Sequence, residues 1–111
     1  MNPDIPSFET CKRLAVLWPH EDALWFYSQM GNLMQGARGP AGYTISAPTI
    51  GEMLAEIRRC GWRWNLERKQ SQAKVVASIR TGRYKEVWMA DKEPADALAL
   101  VLCAAMEEGK R

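Results

Sequence analysis

Apolar positions recur along this chain at two spacings, one helical and one extended, and the switches between them mark out the elements. Phe8, Cys11, Leu14, Ala15 and Trp18 share one face of a 3.6-residue repeat. Pro6 breaks the chain before them, Ser7 is a good N-cap and Pro19 closes the segment, so a helix is predicted over 7–17. Ile50, Met53, Leu54, Ile57 and Cys60 make a second helical face. Thr49 and Glu52 mark its start as a T-x-x-E capping box, and Gly61 marks its end. A third helix is predicted from Pro94 to about residue 108, since proline suits the first helical position. Leu98, Val101, Leu102, Ala105 and Met106 form its stripe, and Ala97, Leu100 and Ala104 widen it, so this helix is expected to be the most buried.

The remaining segments read as strands and turns. Leu24, Trp25, Phe26 and Tyr27 are strand formers, predicting a strand over 23–30. Residues 31–42 hold four glycines and a proline and read as a long exposed loop. A short strand over 43–47 follows, expected to pair with the first as a wide-looped hairpin. Further on, Trp62, Trp64 and Leu66 alternate with Arg63, Asn65 and Glu67. Val75, Ala77 and Ile79 alternate with Lys74, Val76, Ser78 and Arg80. That period of two predicts strands over 62–69 and 74–80. Thr81-Gly82 supplies a tight turn into a third, over 83–90. The order is then α-β-β-α-β-β-β-α, and its short strand connections imply antiparallel pairing. The expected fold is α+β: one domain over 1–111, with a single antiparallel sheet of about five strands and three helices mainly on one face.

Composition changes this picture little. The chain has 111 residues, 47% apolar and 25% charged, enough for one core. The longest apolar run, 97–106, has ten residues, about half of what a membrane span needs. Met1-Asn2-Pro3-Asp4 lacks the basic and then apolar pattern of a secretory signal, so no membrane partner and a cytoplasmic setting are expected.

Charge is distributed unevenly. Residues 1–57 carry three Lys/Arg and six Asp/Glu, a net of −3; residues 58–85 carry nine and one, a net of +8; residues 86–111 carry three and six, a net of −3. The basic stretch coincides with the strand meander. Arg63, Lys69, Lys74 and Arg80 fall opposite Trp64 and Ile79, and Arg83 and Lys85 join them at the turn and third strand. Two readings stay open for these six residues. One is a solvated face guarded against edge pairing. The other is a binding surface for nucleic acid or for an acidic protein.

Candidate chemistry is sparse. Cys11, Cys60 and Cys103 are widely spaced on apolar helical positions and read as buried free thiols. With one histidine and no CxxC pair, no metal site is expected. His20-Glu21-Asp22 puts a base beside two acids in a loop, but no nucleophile, P-loop or metalloprotease motif accompanies it. No catalytic residue and no cofactor are expected. Trp62, Trp64 and Trp88 are read as core rather than as a base-stacking platform. Trp18 and Trp25 are read as core too, and as interface anchors if exposed.

Residues 49–108 have the order α-β-β-β-α, similar to the double-stranded-RNA-binding domain. That family's lysine-rich helix start would fall on Lys92-Glu93-Pro94-Ala95-Asp96, which is mostly acidic, and its histidine loop on Gln70-Ser71-Gln72, which has no histidine. The order matches and the contacts do not, so no RNA-binding residue is carried over. Three other segments carry a resemblance together: Ile5-Pro6-Ser7-Phe8-Glu9-Thr10-Cys11-Lys12-Arg13-Leu14; Ala47-Pro48-Thr49 with Glu52-Met53-Leu54; and Ala95-Asp96-Ala97-Leu98-Ala99-Leu100. This pattern resembles a group of small uncharacterised proteins encoded by bacteriophages and prophages. The resemblance implies an accessory protein in a bacterial cytoplasm that binds a host or phage protein, for example to inhibit a host defence complex. A nucleic-acid-binding module is the alternative, and a homodimer is open.

Overall fold

A computed structural model describes residues 4–20, 23–35, 44–69, 74–82 and 85–109. The elements run α1 (Phe8–Leu17), β1 (Trp25–Ser28), β2 (Leu33–Gln35), β3 (Thr44–Ser46), α2 (Ile50–Arg59), β4 (Arg63–Lys69), β5 (Lys74–Arg80), β6 (Glu86–Asp91) and α3 (Pro94–Gly109). The fold is α+β, but its strands form two three-stranded antiparallel sheets, ordered β2-β1-β3 and β4-β5-β6. That corrects the single five-stranded sheet. β1 has both edges occupied, by β2 through Phe26–Met34 and by β3 through Phe26–Ser46, so it offers no edge to the second meander. β2 itself arises inside the segment expected to be loop.

The helix ends follow the local chemistry. The Ser7 side chain caps α1 at the amide of Thr10. Thr49 and Glu52 form the full capping box of α2: Glu52 N donates to Thr49 Oγ1 and Thr49 N donates to Glu52 Oε1, each at 3.2 Å. Gly61 leaves that helix at φ 77°, a left-handed conformation that favours glycine.

Glu52 has a second duty. Its Oε2 lies 2.5 Å from His20 Nε2, His20 stacks on Trp18 with ring centroids 4.5 Å apart, and the His20 carbonyl accepts from Ser46 Oγ at 2.7 Å. One carboxylate therefore ties the start of α2 to the chain leaving α1. Thr49→Ala is expected to cost about 1 kcal/mol. Glu52→Ala is expected to cost more, because it removes the side-chain half of the box and the His20 partner together. Urea denaturation of the two variants checks the ranking.

The core is organised by α3. Ala97, Leu98, Ala99, Val101, Leu102, Cys103 and Ala105 are all buried, so the helix is apolar around nearly its whole circumference. It packs on β5 and β6, on α1 and on α2. α1 also packs on β3, which links the first sheet to the helices, and α2 packs on β4. β5 buries Val75, Ala77 and Ile79 toward this core. The helices therefore cover one side of the β4-β5-β6 sheet.

Candidate binding face

Strand register sets out the other side of that sheet. Residues paired directly across antiparallel strands share a face, and faces alternate along each strand. The first outward row is Arg63–Arg80–Glu86, followed by Asn65–Ser78–Trp88, then Glu67–Val76–Ala90, then Lys69 opposite Lys74. Every outward position with a described side chain is exposed or half-buried.

Of the six basic residues singled out by the charge pattern, Arg63, Lys74 and Arg80 are exposed on this face, and Lys69 holds the register position opposite Lys74. Lys85 is exposed but precedes β6, and its carbonyl accepts the amide of Thr81 at 3.1 Å. Arg83 lies outside the described residues. The face is not uniformly basic. Cations stand at its two ends, while Glu67 and Glu86 stand among them. Arg80 Nη2 reaches Glu86 Oε2 at 3.3 Å, whereas no carboxylate among the described residues reaches Arg63.

Two open hollows adjoin at the Arg63–Arg80 end. One, of about 310 Å³, is lined by Gly61, Arg63, Arg80, Thr81 and Gly82. The other, of about 160 Å³, is lined by Arg63, Trp64, Asn65, Ser78, Arg80 and Glu86. Next to them stands Trp88, 66% exposed in the second row. It was expected in the core, and it faces outward because the apolar register of β6 is carried by Val87 and Met89. Trp64 also departs from the core reading. It shares the helix side with Ile79, but on the edge strand β4 it remains 42% exposed. Trp62 and Trp18 do pack against the core.

The other candidate groups are tied up elsewhere. Arg59 clamps the buried Glu56 carboxylate, with Nε to Oε1 at 2.5 Å and Nη2 to Oε2 at 2.9 Å. His20 faces Glu52, and Glu21 and Asp22 lie outside the described residues. A hollow of about 380 Å³ at the start of α3 is lined in part by Asp4, Glu93 and Asp96, and acids there disfavour a phosphate. Among the described residues no group of three His, Cys, Asp or Glu could hold a metal, and no helix is long and apolar enough to cross a membrane.

Cys11 and Cys103 are buried, as read. Cys60 is half-buried instead, because it sits at the end of α2 rather than within its covered face. Burial, with the charge of Asp96 adding to it, pushes the Cys11 thiol up to about 12; burial pushes Cys103 up to about 11. In the unfolded chain both lose their protons near 9.0. Deprotonation thus begins to favour the unfolded chain above 9, and the penalty is complete once the folded thiols also ionise. Stability gains nothing from these thiols below pH 9 and falls as pH rises from 9 toward 12. Urea denaturation at pH 7, 9 and 10.5 should show that decline, and Cys11→Ala should make it shallower.

Comparison with protein-family models, with curated proteins and with solved structures finds no match to this chain.

Proposed function

We propose that this chain is a phage- or prophage-encoded accessory protein of the bacterial cytoplasm that works by binding a host or phage protein. The open face of the β4-β5-β6 sheet is its working surface, and inhibition of a host defence complex is the role such binding would serve. The reading rests on Trp88, a large aromatic residue held in water among polar neighbours and two arginines. Trp and Arg dominate the energetics of protein interfaces, where an aromatic anchor sits inside a polar rim. The mixed charge supports a protein partner, because alternating signs are matched readily by another protein surface.

A nucleic-acid module is the second reading, favoured by Arg63 standing directly across from Arg80. Glu67 and Glu86 on the same face oppose it, since a continuous phosphate backbone would be repelled by them. Capture from nuclease-treated bacterial lysate compares the wild-type chain with Trp88→Ala. A protein held by the wild type and lost by the variant is the expected result. A partner that the variant retains in full, or that disappears with nuclease treatment, would sink the proposal.

A further inference from the structure

Arg63 and Arg80 form an unusual pair. Directly paired residues on antiparallel strands bring their Cβ atoms about 4.5–5.5 Å apart, and like charges there destabilise the sheet. Glu86 relieves Arg80 from the far side only, and Arg63 has no carboxylate partner among the described residues. Space is left open beside the pair. A Cβ added at Gly61 or at Gly82 would meet nothing within 4 Å, and both glycines line the larger hollow. The site thus has two guanidiniums in one row, room for a small planar anion, and an exposed indole in the next row.

We infer that this site takes a carboxylate from an extended acidic segment of a protein partner, with an apolar side chain two residues away lying on Trp88. The inference rests on the binding role proposed above and names the chemistry of the partner. Geometry selects the pattern. Successive outward rows are two residues apart, about 7 Å at a rise of 3.3–3.4 Å per residue. An extended peptide presents alternate side chains on one side at that same spacing. A carboxylate between Arg63 and Arg80 therefore places the side chain two positions on over the Asn65–Ser78–Trp88 row. Guanidinium groups bind carboxylates bidentately, and a single anion relieves the repulsion between the pair.

The test is fluorescence anisotropy of a fluorescein-labelled peptide, Gly-Ser-Glu-Ser-Leu-Ser-Leu-Ser-Gly, with the intact chain. Its Gln-for-Glu counterpart and an oligothymidine are run in parallel. Saturable binding below millimolar is expected, weakened about tenfold by Arg63→Glu and about as much by the Gln peptide. The thermal midpoint of Arg63→Glu should equal or exceed that of the wild type, because an opposite-charge pair replaces a like-charge pair. Equal binding of the two peptides, or no effect of Arg63→Glu, overturns the inference, as does tighter binding of oligothymidine. Absence of peptide binding while Trp88→Ala still loses its lysate partner removes the inference and leaves the binding role standing. Absence of both removes both.

Discussion

Leu98→Ala is expected to lower stability by about 2–5 kcal/mol. Leu98 is fully buried in the helix that touches β5, β6, α1 and α2, and Leu102 lies one turn further along the same core. Truncating its isobutyl side chain to methyl forfeits the transfer energy of the lost carbons and leaves a cavity in the core. A domain of this kind has about 5–15 kcal/mol in total, so the loss is a large fraction of it. Val16→Ala is the control. Val16 is 80% exposed on α1, and its truncation should change stability by no more than about 0.5 kcal/mol. Urea denaturation reads both. The midpoint should fall for Leu98→Ala with an unchanged slope, which marks a change in stability rather than in the surface exposed. A shift comparable to that of Val16→Ala would mean that α3 is not the centre of the core.

Trp88→Ala is expected to have the opposite profile. Its stability should stay within about 0.5 kcal/mol of the wild type, because the indole is mostly in water. Its affinity for the captured partner should fall by about 2 kcal/mol or more, roughly thirtyfold, the usual cost of truncating an aromatic anchor. Trp62→Ala separates the two effects. Trp62 packs against the core beside the same sheet, so its loss should cost stability. If Trp88→Ala destabilised as strongly as Leu98→Ala, the face would not be open and the proposed surface would be wrong.

Features written in neighbouring residues were legible in the sequence. Ser7, the Thr49–Glu52 box, Gly61 and Pro94 each act within a turn of their own position, and the helices start and stop where those residues dictate. The outward direction of Arg63, Lys74 and Arg80 was legible too, since Val75, Ala77 and Ile79 leave β5 only one apolar face. The division into two sheets was not. Which edge of β1 is taken depends on partners well along the chain, and Leu33-Met34-Gln35 carries no β-branched residue to announce β2. Trp88 was misplaced for a related reason. In Glu86–Asp91 apolar residues occupy both parities, and only the pairing of Ile79 with Val87 and of Ser78 with Trp88 decides which side faces the helices. Cys60 matched the helical repeat, but α2 ends there and its cover ends with it.

The central place of α3 bears on how the chain is made. This helix comes after every other element in synthesis, yet it supplies the surface against which the others close. The amide of Ser7 donates to Asp96 Oδ1 at 2.8 Å across a separation of 89 residues. While a ribosome is still working toward residue 105, Leu14, Met53, Ile57 and Ile79 have all been made without the helix that finally covers them. Segments exposed in that way are the ones that associate with one another. Closure of this core therefore waits on contacts between residues far apart in sequence, and α3, made after the elements it covers, completes it.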